Sequence, residues 1–428
     1  MRMKFNKSSQ LLLVSAASLL AASVITACGS LTVDFVFVTC SKAAGANNYG
    51  EVDVFEINQE SGRMRQIPTS PFPSGGRDPV AEAVSADQTN LYVVNEDDNS
   101  IVQFVIGNDG KVYPQNTVNT PGIYPMAVAV SGTNLYVVDT YQPLPICSTA
   151  APCSGSVGVL PITVGSGSPP SDTLGSPVAN GTLTYWPLCQ YGYASATDFT
   201  TCAAGATTDI ITPTAVNVLG SGSYVFVTAY DSTASPNVGY VFGFATSSSG
   251  ALTPLNGGVP FAAGVHPSSI ASDSTSSFVY VTDQTSSNVL AYSLASGVLS
   301  PLAGSPFPTG NQPSAVVADP TYPFLYVADA LDSNVTAYSI SNGALTKLGA
   351  YATGTQPVAI GIDPSTNHFL YSANYLGNGV QGTISGFELD PTAGTLINSQ
   401  NSPYIANAQP TAVAAIPHGS SKSSSSSK

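Results

Sequence analysis

One carboxylate stands out by the company it keeps. Glu82 lies three residues after Pro79, in DPVAEAVSA, where six related segments carry Val or Ile. A carboxylate in an apolar slot either finds a partner or holds its proton, and either state suits proton transfer. Glu96, at the end of NLYVVNE, is a second candidate base, and His266, opening HPSSIASDS, is a third titratable group. Arg77 is the expected partner of Glu82 and the expected grip on an anionic group of a substrate. With Glu82 or Glu96 activating water and His266 assisting, these side chains would suit a hydrolysis. That chemistry requires them to converge on one pocket. No GxSxG elbow, HExxH, Walker loop or CxxC offers another.

The elements that carry these residues recur. Seven segments open on a proline at Pro79, Pro125, Pro213, Pro267, Pro313, Pro357 and Pro410, with spacings of 46, 88, 54, 46, 44 and 53. A second strand also recurs seven times: DFVFVTC, NLYVVNE, NLYVVDT, SYVFVTA, FVYVTDQ, FLYVADA and FLYSANY. The clearest copy, Gln312–Leu348, reads as four short strands. A period near 45 with four strands per unit predicts an all-β chain folded as a seven-bladed β-propeller of four-stranded antiparallel blades. The first LYV-type strand, at Asp34, has no proline strand before it, and the last proline strand, at Pro410, has no LYV strand after it. The C-terminal strand is therefore expected to complete the first blade, which removes an open edge.

The 88-residue spacing after Pro125 holds no further copy of either strand, so it is read as two insertions in blade three, at about 140–154 and 163–211. Both carry cysteines. Cys147 and Cys153 flank one short loop, and Cys189 and Cys202 a longer one. Their spacing and the lack of a nearby histidine disfavour zinc, and two local disulfides are expected, with the other pairings of the four left open. Cys40 ends an apolar strand and reads as a buried free thiol. Tyr185, Trp186, Tyr191, Tyr193 and Phe199 crowd the second insertion. They read either as packing against the blade or as a sugar-stacking or partner surface.

Charged residues make up 8% of the chain, yet the net charge is −14. Such a surface excludes binding along a nucleic-acid backbone. Residues 1–27 read as an export signal, with Arg2, Lys4 and Lys7 ahead of an apolar run. Ile25-Thr26-Ala27-Cys28 resembles a bacterial lipobox, which implies lipidation at Cys28 and a membrane attachment by lipid alone. Residues 28–417 form the propeller and 418–428 a Ser/Lys tail.

In an up-and-down blade the loops entering strand one and those joining strands two and three share a face. That face gathers Arg77, Asp78 and His266 with Asn95, Glu96, Asp139, Asp283, Asp329 and Asn374. Arg77, Asp78, Asn95, Asp283, Asp329 and Asn374 are the candidate ligand-binding residues of this channel mouth. The competing reading is that Asp and Asn here tie their own turns. No cofactor is called for. A divalent cation in the channel stays open, though no loop has the DxDxDG spacing of an EF-hand.

The LYV cores, the Asn or Asp after them, the SNV third strands and the SPFPTG ends resemble the YVTN-repeat propellers and the lactonase family of seven-bladed propellers that includes 6-phosphogluconolactonases. The resemblance spans about Leu31 to Pro417 outside the insertions. It implies Asn95-Glu96 and Asp283 as site positions. The family's Pro-Arg-His motif falls on Pro79, Val80 and Ala81, without its arginine and histidine, and its His-Pro-His motif on His266, Pro267 and Ser268. Two functions are therefore expected to compete. The first is an envelope propeller, monomeric, that binds a sugar-like small molecule or an envelope protein at its acidic mouth. The alternative is a hydrolase of sugar lactones.

Overall fold

The computed structural model describes residues 33–42, 48–58, 61–165, 172–205, 209–363, 369–377 and 381–416. Residues 1–27, expected to be an export signal, Cys28 and residues 418–428 lie outside them. The described chain forms seven antiparallel sheets, each built on a path of four strands. Blade two is representative, with strands Pro79–Val84, Asn90–Asn95, Ser100–Ile106 and Val112–Asn119 from the inside outward. Its second strand reads as an unbroken apolar run because blades are stacked on both of its faces.

The core consists of seven layers, one at each junction between blades. Strand alternation assigns the side chains. In the second strand of blade one, Val33–Ser41, Phe35 and Phe37 face blade two beside Leu91, Val93 and Phe104, whereas Val36, Val38 and Cys40 face blade seven beside Phe369, Tyr371 and Ile384. The second layer closes the circle. Buried tyrosines add polar ties between neighbours, as Tyr280 and Tyr326 donate to the carbonyls of Gly343 and Gly394, both at 3.2 Å.

Closure follows the expected route. The C-terminal strand, Gln409–Ile416, is the innermost strand of blade one and pairs with Val33–Ser41 in the register Val36↔Ala415 and Val38↔Val413. Every inner strand carries one extra residue against its neighbour, directly after its proline. A bulge of this kind turns a side chain out of the pleat. Where that residue is Ser or Thr it can reach the next blade. Ser268 donates to Pro313 O at 2.6 Å, Ser314 to Pro357 O at 2.7 Å and Thr411 to Pro79 O at 2.8 Å.

Blade three carries the insertions. Its third strand, Ser156–Thr163, pairs with two short segments, Thr173–Leu174 and Trp186–Pro187, as the third strands of blades one, four, five and seven also do, and the long stretches between its strands set it apart. Cys147 is bonded to Cys153 and Cys189 to Cys202, and Cys40 is a buried free thiol. Two disulfides point to an oxidising compartment. Among the described residues, no helix is long and apolar enough to cross a membrane.

Candidate functional site

The channel mouth is built from the loops entering each inner strand and the ends of the second strands. Four of its six expected ligand-binding residues, Asn95, Asp283, Asp329 and Asn374, are buried. Asp283 accepts from the backbone amides of Val265 (2.8 Å) and His266 (3.1 Å) and from the Ser286 hydroxyl (2.7 Å). Asp329 accepts from Thr309 (2.9 Å) and Thr336 (2.6 Å), and burial still pushes its carboxyl up to about 6. Asp139 accepts from Gly122 N at 3.0 Å and is pushed by burial to about 7. Asn374 donates to Thr383 and Ser385. Asn95 is wholly buried, and neither atom of its amide has a partner.

One contact explains why this position is so often Asp or Asn. At five of the seven crossings the chain returning from one blade passes a glycine across the end of the next blade's second strand. A methyl group on Gly76, Gly122, Gly264, Gly310 or Gly354 would stand 2.2–2.8 Å from the side chain of Asn95, Asp139, Asp283, Asp329 or Asn374 respectively. Asp139 and Asp283 accept from backbone amides of these crossings and Asp329 and Asn374 bond neighbouring hydroxyls, whereas the side chain of Asn95 makes no bond; of the own-turn ties expected, Asp283 makes two, to Thr285 N and Ser286 N, both at 3.2 Å. The repeat signal marked them for architecture, and the ligand-binding role expected of Asn95, Asp283, Asp329 and Asn374 finds no open side chain there.

Blade two differs. Asp78 and Glu96 are half-buried, and neither carboxylate has a hydrogen-bond or ion-pair partner among the described residues. The backbone joins them, as Glu96 N donates to Asp78 O at 2.9 Å. Burial, and then the charges of Asp78 and Asp97, raise the Glu96 carboxyl to about 7; Asp78 is raised by burial and by Asp97. Arg77 does not pair with Glu82. Its guanidinium holds Asp98 at 2.6–2.7 Å, which fixes the turn after the second strand. The nearby Lys42 pairs with Glu51 at 2.5 Å.

Glu82 turns toward blade one instead. Its Oε2 accepts from the Thr39 hydroxyl at 2.6 Å, and its Oε1 is shut off from solvent with no partner. The residue is half-buried overall, but burial of the carboxyl raises it to about 7, against hydrogen bonding from Thr39 and Ala414. His266 belongs to blade five. Its ring lies 4.0 Å from that of Tyr230, and burial lowers its affinity for a proton against the pull of Asp283. Tyr124 and Tyr141 meet edge-to-face at 5.9 Å on the same side of the propeller, and Tyr124 N donates to Asn99 in the blade-two loop at 2.6 Å. The mouth thus has an acidic sector at blade two and an aromatic sector over blades three to five.

The four groups required for hydrolysis are therefore dispersed. Glu82 lies at the joint of blades one and two, Arg77 is locked on Asp98, and His266 is three blades from Glu96. Sequence reasoning missed the aromatic sector, because Tyr141 and Tyr230 lie just beyond the repeat residues it followed. Among the described residues, no three His, Cys, Asp or Glu side chains are grouped to hold a metal ion.

The fold is a seven-bladed β-propeller closed by its C-terminal strand. The chain belongs to the family described as lactonase, 7-bladed beta-propeller, whose model matches residues 47–143 and 296–414. The matched parts leave out both insertions. A putative 6-phosphogluconolactonase of Bacteroides fragilis is similar in fold (18% identity, TM-score 0.65, 90% of this chain and 98% of that one). So is the periplasmic gluconolactonase of Pseudomonas aeruginosa (17% identity, TM-score 0.65, 90% and 99%). No curated protein sequence matches the chain. At the family's Pro-Arg-His positions, Val80 and Ala81 pack into the layer between blades two and three, beside Val94 and Leu135.

Proposed function

We propose that this protein is an exported, lipid-anchored propeller of the lactonase family that binds a neutral, sugar-like small molecule at its channel mouth. The observation that carries this reading is the pair Asp78 and Glu96, the half-buried rim carboxylates left without partners while those of Asp139, Asp283 and Asp329 are tied into the scaffold. Carboxylates accept hydrogen bonds from hydroxyl groups, and the aromatic sector beside them offers faces for the C–H side of a sugar ring. Arg77 and Lys42 are already paired, so a phosphorylated or carboxylated ligand would meet negative charge with little to offset it.

A second reading rests on Glu96. A half-buried carboxyl raised to about 7 is poised as a general base, and the family makes lactone opening the reaction to test. One experiment separates the two. The purified chain is screened by thermal shift against neutral sugars, sugar lactones and divalent cations, and lactone opening is followed by pH-stat. The binding reading expects a sugar or lactone to raise Tm, Glu96→Gln to abolish the shift, and lactone opening no faster than the spontaneous rate. Turnover abolished by Glu96→Gln establishes the hydrolase. No shift from any sugar or lactone sinks the binding reading. For the anchor, mass spectrometry of the membrane fraction is expected to find diacylglyceryl on Cys28, and Cys28→Ser to release the protein; an unmodified Cys28 in mature protein overturns it.

A further inference from the structure

The two insertions of blade three build a cleft that neither the repeat nor the mouth accounts for. It has a volume of about 270 Å³ and lies between the loop that follows Asn134–Tyr141 and the segment stapled by Cys189–Cys202. That is close to the lower end of small-ligand sites, roughly 300–1,000 Å³. Backbone bonds lock its walls together, as Leu188 N donates to Gly155 O at 3.1 Å and Gly155 N to Ile211 O at 2.8 Å.

Of the five aromatics in the second insertion, four are used internally. Tyr185 and Trp186 are buried, and Tyr193 and Phe199 meet edge-to-face at 5.4 Å. Tyr191 is the exception: it is 47% exposed and lines the cleft. It is also held in place. Its ring lies so close over Gly205 that a methyl there would come within 2.0 Å of it, and its hydroxyl donates to Asp209 at 2.9 Å. An exposed ring fixed on one face and at its tip is a platform and not a loose side chain. Polar groups surround it. Gln190 lines the same cleft, its Nε2 donating to the Tyr240 hydroxyl at 2.7 Å while its enclosed Oε1 has no partner. Gln142, Ser154 and Asp209 complete the wall, and no cation lines it.

We infer that this cleft is a second binding site, which takes a short stretch of a neutral oligosaccharide stacked on Tyr191. The ring receives the C–H face of a sugar, the Gln190 and Gln142 amides and the Asp209 carboxylate bond its hydroxyls, and Asp209 disfavours acidic sugars. Placement on disulfide-stapled loops gives it a rigid frame outside the propeller core. The site is independent of the mouth and of the ligand proposed there.

The test is isothermal titration of the full chain with cellohexaose, maltohexaose and chitohexaose, and with hexagalacturonate as the anionic counterpart. At least one neutral hexasaccharide is expected to bind. Tyr191→Ala should weaken it about tenfold or more, and Tyr191→Phe should keep it within about threefold. Should Tyr191→Ala fail to fold, Gln142→Ala and Asp209→Asn are expected to weaken the same titration. The inference is overturned by no binding of any neutral hexasaccharide at millimolar concentration, by binding that survives these cleft variants, or by equal affinity for hexagalacturonate.

Discussion

Asn407 donates both its backbone amide and its side-chain amide to the carboxylate of Asp53, each at 2.7 Å, across 354 residues of sequence. Asp53 is fully buried in the third strand of blade one and also accepts from Gln66 at 2.9 Å. Asn407 lies two residues ahead of the strand that closes the ring. The bonds therefore latch the end of the chain to its beginning just where the last strand must enter. Burial raises the Asp53 carboxyl while the Asn407 bonds pull it back down, as expected of a buried acid satisfied by donors.

Removing that latch should loosen closure ahead of any other part of the ring. Asp53→Ala strands buried donors on Asn407 and Gln66, and a loss of about 2–4 kcal/mol in urea unfolding is expected. Native-state hydrogen exchange should show Gln409–Ile416 opening first. Uniform loss of protection in all blades would show that the latch has no local role.

Glu82 sets a pH dependence whose sign is fixed. Its folded carboxyl titrates at about 7 against an ordinary value of 4.5, so the folded state binds the proton more tightly than the unfolded one. The stabilisation is complete below the ordinary value and is lost as pH rises through about 7. Glu82→Gln, which stays neutral, should match the native protein near pH 4 and exceed it in stability at pH 8, by up to about 3.4 kcal/mol. A difference independent of pH would show that the Glu82 carboxyl titrates normally. Asp139 and Asp329, raised to about 7 and about 6, act in the same direction on the native protein.

The glycine crossings should tolerate no side chain. Gly310→Ala places a methyl 2.6 Å from the Asp329 carboxyl, which two threonines hold still. The expected cost is about 1–3 kcal/mol. Gly220→Ala is the matched control, since its nearest neighbour would be the Ser276 hydroxyl at 3.6 Å. Equal Tm values for the two variants would remove the crossing from the account of why Asp and Asn recur here.

Cys40 should be inert while the ring is shut. It is fully buried, and burial together with the charges of Asp53, Glu51 and Glu82 raises its thiol well above the ordinary value. A thiol reagent at pH 8 is expected to label it only at the rate of local opening, and Asp53→Ala should speed that labelling. Rapid labelling of the native protein would contradict the closed joint between blades one and seven.

The sequence alone determined the ring. Recurring prolines and LYV cores fixed the number of blades, and the two incomplete copies at the chain ends fixed how they join, because a strand period and an unpaired edge are local properties written in residue order. It also marked the cysteine pairs and the isolation of Glu82 among apolar neighbours. Which polar residues of the mouth are free was decided by the tertiary structure. Asn95 and Asp283 hold the same place at the ends of their strands, yet Asp283 accepts from the amides of a crossing loop and the amide of Asn95 is buried without a partner. Arg77 lies nearer Glu82 in sequence than Asp98 does, yet it turns to Asp98. A side chain's partners depend on what packs across a blade junction, and the repeat, being nearly the same in every blade, carries no record of that difference.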